Sequence, residues 1–197
     1  MRDVLLIAFM AVALLLMMWR PAWGALGWVW FGIMNPHRLA WGFATTIPFA
    51  WAIGIATVLG AAFSREPKHL KGGMATFVLL LFVLYMLFTT YLALVPDRAW
   101  PMFERAVKVQ VGTLLALVLL YRKHHVLGLM WVVAGSIGFY AIKGGIFTIA
   151  TLGQYRVWGP EDSFIEDNNA FGLATVMSIP IWAYLYTQYR ARPWIRV

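Results

Sequence analysis

The densest chemistry in this 197-residue chain lies between its last two apolar runs, in KGGIFTIATLGQYRVWGPEDSFIEDNN, residues 143–169. Four of the chain's 8 acidic residues, Glu161, Asp162, Glu166 and Asp167, crowd there beside one arginine, Arg156. A guanidinium is a rigid planar fork that takes two phosphate oxygens at once, which a lysine ammonium does not reproduce. Two readings of Arg156 stand side by side: a catalytic, substrate-binding group for a phosphate, or one half of a structural ion pair with a neighbouring carboxylate. Asn168 and Asn169 stand where a helix begins. One of them is expected to cap that helix, and its free amides and positive dipole end would also hold an anion. Lys143 closes the preceding apolar run and is followed by Gly144-Gly145, expected to turn the backbone into the loop. Its amine either snorkels to the interface or offsets a phosphate. Arg38, in Asn35-Pro36-His37-Arg38, is a further candidate for an anionic head group, with helix initiation and interfacial anchoring as the plainer account of His37 and Arg38. The candidate substrate-binding set is therefore Arg156, Lys143, Arg38, Asn168 and Asn169.

Other chemistries find less footing. With no cysteine, the chain has no thiolate nucleophile, thiolate metal site or disulfide. His124 and His125 are adjacent, so helical geometry would send their side chains about 100° apart, and with Arg122 and Lys123 they read as a basic turn. His69 sits in another charged loop and reads the same way. The paired carboxylates lack a calcium-loop pattern, and no metal site is expected. No phosphate-binding loop, dinucleotide fingerprint, nucleophile elbow or zinc-protease histidine pair is present, and no cofactor is expected.

The elements that position these residues are membrane helices. Hydrophobic residues make up 62% of the chain and charged residues only 12%, with 11 tryptophans, far from the roughly 45–50% apolar and about 25% charged of soluble domains. A bilayer crossing needs about 20 apolar residues. Residues 43–63, 74–95 and 170–186 are clear spans; 4–19, 106–121 and 126–142 are shorter; 24–34 reads as a tilted span or a re-entrant half-helix. The stretch 4–19 also has the look of a signal peptide, but Ala22-Trp23-Gly24 is a poor cleavage site. The expected fold is all-α: a polytopic transmembrane helical bundle of six or seven membrane segments, one domain over residues 1–197, with a structured loop at 143–169.

The net charge of +8 forms no continuous stripe, which argues against nucleic acid. Alternate loops divide it instead. Arg65, Lys68, Lys71, Arg122, Lys123, Arg190, Arg192 and Arg196 face one acid, Glu66. The loops between them hold Arg98, Arg105, Lys108, Lys143 and Arg156 against six acids. Lysine and arginine in short loops stay cytoplasmic, so 143–169 and Asn35-Pro36-His37-Arg38 are expected on the periplasmic face, with the amino terminus undecided. Lys108 and Gln110 are expected to snorkel. Small residues at helical spacing, such as Ala134 with Gly138, read as close helix contacts.

The stretch GQYRVWGPEDSFIEDNNAFGLATVMSIPIWAYL resembles bacterial O-antigen ligase-like proteins. MRDVLLIAFMAVALLLMMWRPAWGALGWVWFGIMNPHRLAWGFA and KGGIFTIATLGQYRVWGP resemble the O-glycosylation ligases associated with the exosortase A system. The resemblance implies a metal-independent, inverting glycosyltransferase of the bacterial inner membrane. Such enzymes move a glycan from an undecaprenyl-diphosphate carrier to an acceptor at the periplasmic face. It implies that Arg156 engages the diphosphate, that Asn168 and Asn169 match the helix-start asparagines, and that a histidine in a later periplasmic loop activates the acceptor. That loop has no counterpart here, so the chain is expected to be an amino-terminal portion partnered by a carboxy-terminal half. A non-catalytic membrane subunit or scaffold is the alternative, and a transporter ranks last because the spans carry almost no charge.

Overall fold

The structure, a computed structural model, describes residues 2–39, 42, 47–66, 68, 73–161 and 163–190. His69, Lys71, Asp162, Arg192, Arg196 and the start of the expected 43–63 span lie outside the described residues. Among the described residues the chain is all helix and turn: α1 Arg2–Trp19, α2 Pro21–Met34, a 3-10 turn Pro36–Leu39, α3 Phe49–Phe63, α4 Gly73–Tyr91, α5 Pro96–Leu119, α6 Lys123–Ala150 and α7 Asn168–Tyr189.

The short stretch the sequence leaves undecided is the hub. Pro21 starts α2 with its φ already helical and no amide to strand, and Asn35 ends it in the left-handed region at φ 45°, with Pro36 barring any continuation. Between these stops α2 packs on α1, α3, α5 and α6. Its Trp28 ring wedges between Gly54 of α3 and Gly112 of α5, where a methyl group on Gly112 would come within 2.6 Å of the indole nitrogen. Gly24 of α2 likewise lies against Thr57 of α3. Small residues let backbones approach, which supplies the packing that apolar side chains cannot gain from avoiding lipid.

The chain runs alternately between two ends. At one, Arg20 Nη1 meets Glu66 Oε1 at 3.4 Å, and Ala22, Ala25, Leu119 and Leu120 close a core. At the other, the Asn35 amide donates to Glu161 O at 3.2 Å and Tyr140 Oη donates to Met34 O at 2.8 Å. Because Trp19 adjoins Arg20, α1 begins at this second end, which settles the relative placement of the amino terminus.

Among the described residues three helices, α4, α6 and α7, are long and apolar enough to cross a membrane, fewer than the six or seven expected. At 1.5 Å per residue α2 is only about 21 Å long, against a hydrocarbon core of about 30 Å. α1 and α3 are apolar but also short. α5 starts ten residues before its apolar run, because Pro96 serves as a helix-starting proline, and its first thirteen residues carry Asp97, Arg98, Glu104, Arg105 and Lys108. Lys108 does not simply reach for the interface: its amine lies 5.4 Å from the centre of the Trp51 ring. α4 is apolar all round, buries only Thr76 and has α5 as its main neighbour, a surface suited to lipid.

The glycines after Lys143 do not turn the chain. α6 continues through them to Ala150, with Gly144 packed on Val157, so the loop spans 151–167 and Lys143 sits on the helix. The turn falls later, at Leu152 and Gly153, with φ of 52° and 75°, where Gly153 N donates to Thr148 O at 2.9 Å. The rings of His124 and His125 do not diverge either: they meet edge to face at 4.3 Å. Ala134 is fully buried, and Gly138 faces Trp182 of α7, as close helix contact requires.

Candidate functional site

The loop 151–167 is built from the inside out. Ile165, 7% exposed, packs with Tyr140 and Phe171 on a small core that includes Ile33, Met34 and Val157. Burial of that side chain anchors the loop on α2, α6 and α7. Gly159 N donates to Glu166 O at 2.9 Å, closing the strap around Pro160, while Ser163 Oγ donates to Pro160 O at 2.6 Å. A side chain at Gly159 would strike the Ile165 carbonyl, so glycine here is a matter of space. Although Gln154-Tyr155-Arg156-Val157-Trp158 alternates, it forms no strand.

The start of α7 corrects an expectation. Asp167, not an asparagine, is the N-cap, and its Oδ1 accepts from Asn169 N at 2.9 Å and Ala170 N at 3.2 Å. Asn168 and Asn169 become the first helical residues. An aspartate satisfies the same orphan amides and adds a charge favourable to the dipole. With that carboxylate already at the amides, the helix end is no longer an open anion site.

Around this strap lies a cavity of about 380 Å³ lined by Arg38, Tyr140, Lys143, Arg156, Trp158 and Glu161 among others. Three of the five candidate residues, distant in sequence, thus share one hollow: Arg38 from the turn after α2, Lys143 from α6, Arg156 from the loop. Among the described lining residues three cations and one carboxylate, Glu161, border it. Among the described residues no carboxylate forms an ion pair with Arg156 or Lys143. That disfavours the ion-pair reading of Arg156 for Glu161, Glu166 and Asp167. Asn168 borders a neighbouring hollow that Arg156 also lines, whereas Asn169 lines neither. His37 lies parallel to the Phe31 ring at 5.0 Å, part of the α2 to α3 packing.

Two lining residues escape the sequence reading. Tyr140 stands three residues before Lys143, on the same face of α6, a relation hidden while Lys143 is placed past the helix end. Trp158, 58% exposed, lies at the cavity wall. A hollow of similar size between α1, α2 and α6, lined by Phe9, Leu16, Trp23 and Trp30, is apolar and presents no ionisable group.

Among the described residues, fold and site define an all-helical bundle with three helices long and apolar enough to cross a membrane and a cation-lined cavity at one end. The chain belongs to the family of unknown function DUF5935, which matches residues 1–190. No curated protein and no solved structure matches it.

Proposed function

We propose that the chain is the carrier-binding part of a membrane glycosyltransferase of the O-antigen ligase and O-glycosylation ligase kind. In this reading it works at the periplasmic face of the bacterial inner membrane. The observation that carries the reading is the convergence of Arg38, Lys143 and Arg156 on one cavity. Charge distribution supports the sidedness: Arg20, Arg65, Lys68, Arg122 and Lys123 gather at the opposite end, as cytoplasmic ends do.

The diphosphate of a polyprenyl-linked glycan lies in the cavity, two of its oxygens on the Arg156 fork, with the Lys143 amine opposing its remaining charge. The acceptor hydroxyl oxygen attacks the anomeric carbon as the bond from that carbon to the diphosphate oxygen breaks, inverting the centre. The electron pair leaves with the diphosphate, where preplaced cations stabilise it more strongly than they stabilise the intact carrier. The hydroxyl proton passes to a base supplied from outside these residues. The resemblance assigns that base to a histidine of a later periplasmic loop.

Arg156→Lys, expressed with the other components of glycan transfer, is expected to lower transfer about 100-fold, in the range lost with one preplaced oxyanion donor. Wild-type transfer at equal expression removes Arg156 from the reaction. The exposed apolar residues on the loop, Leu152, Tyr155 and Phe164, favour a second reading, a subunit that holds the carrier for a protein partner. Carrier binding without turnover in every combination of components selects it.

A further inference from the structure

The cavity is continued on the α7 side. Arg156 also borders a groove of about 380 Å³ between α6 and α7, lined by Gly144, Gly145, Thr148, Asn168, Gly172 and Thr175 among others. We infer that this groove receives the isoprenoid tail of the lipid whose diphosphate occupies the cavity, and that lipid reaches the site sideways between α6 and α7. The inference rests on the reading of the cavity above.

Its lining is apolar in effect. The hydroxyls of Thr148 and Thr175 donate to Gly144 O and Phe171 O, each at 2.9 Å, so both are satisfied within their own helices. Polar chemistry is confined to the loop end, where Arg156 and Asn168 stand. Thr175 lies seven residues along α7 from Asn168, so the apolar part descends roughly 10 Å at 1.5 Å per residue. One charged end and one apolar length match an amphiphile with its head toward the loop.

The glycines locate the open space. A Cβ built on Gly145 or Gly172 meets nothing within 4 Å, whereas one on Gly144 would approach Val157 Cγ1 at 2.5 Å. Gly144 is thus required by packing within the chain, and Gly145 and Gly172 are not. Their neighbours Ile146 and Leu173, 63% and 62% exposed, belong to helices long enough to cross a bilayer, so the groove opens toward lipid. Charge selects among lipids. Lys143 and Arg156, neither in an ion pair among the described residues, suit a diphosphate better than the zero charge of a zwitterionic lipid.

The test uses the full chain in phosphatidylcholine nanodiscs, titrated with inorganic diphosphate and with farnesyl diphosphate. Gly145→Leu and Gly172→Leu put side chains into the groove from positions where an added Cβ meets nothing within 4 Å. Each is expected to weaken farnesyl diphosphate at least tenfold and to leave inorganic diphosphate within twofold, which also reports an intact cavity. Gly135→Leu is the control, since a Cβ there also meets nothing within 4 Å but lies on α6 outside the groove. It is expected to change neither ligand. Unchanged farnesyl diphosphate affinity in both groove variants, an equal loss in the control, or equal competition by phosphatidate overturns the groove assignment. A wild-type chain that binds no inorganic diphosphate overturns the reading of the cavity, and this inference with it.

Discussion

The two ends of the bundle are both basic, but they use their cations differently. At the Arg20 end the charges are engaged by the protein itself: Arg20 meets Glu66 at 3.4 Å, Lys68 Nζ donates to Ser64 O at 3.2 Å, and the Arg122 guanidinium lies 5.4 Å from the Tyr121 ring centre. At the loop end, Lys143 and Arg156 border a hollow and form no ion pair among the described residues, although acids are more numerous there. Of the acids nearby, Asp167 is engaged as the cap of α7. A cation held by the fold contributes to topology and packing, whereas one left at a cavity wall is available to a ligand.

The largest effect that sharpens this contrast is on anion binding. Arg156→Ala is expected to weaken inorganic diphosphate at least 30-fold in nanodiscs, while Arg20→Ala leaves it within twofold; equal losses would erase the distinction between the ends. Next comes the bond that holds the cavity floor. Tyr140→Phe deletes the donor to Met34 O and leaves a carbonyl short of its partner, costing about 1–3 kcal/mol in a reversible unfolding assay in detergent. No change there would mean that the loop end is held by Ile165 packing alone. Asp167→Ala removes the α7 cap at about 1 kcal/mol, and Asn169→Ala is expected to be near neutral in the same assay. The reverse order would restore the asparagine as the cap. The smallest effect belongs to the exposed pair: Glu66→Gln is expected to cost under about 1 kcal/mol, because solvent screens Arg20.

Much of the candidate site was legible because its residue types are out of place in so apolar a chain. Arg156, Lys143 and Arg38 were marked by charge alone, and the loop by its crowd of acids. What escaped depends on tertiary packing. Gly144-Gly145 resembles a turn only until Val157 fills the space beside Gly144 and makes the glycines a helical contact surface. Asp167 and Asn168 are equally good caps by type, and the backbone decides between them. The number of crossings failed for a related reason: loop charges report sides and apolar runs report lengths, but neither tells that a 14-residue segment will be gripped from four directions by glycine contacts. The groove was beyond sequence reading, since it is the space two helices leave unfilled.

The brevity of α2 has a consequence for the surrounding bilayer. Its neighbour α6, with 28 residues, is about 42 Å long, twice the length of the hub it leans on. Since Asn35 ties the tip of α2 to the loop strap, and Ile165 of that strap packs with Ile33 and Met34, protein and not lipid covers the end of the short hub. The shortfall of α2 against a hydrocarbon core of about 30 Å is thus taken up inside the protein, and the surrounding acyl chains have no need to compress to meet it.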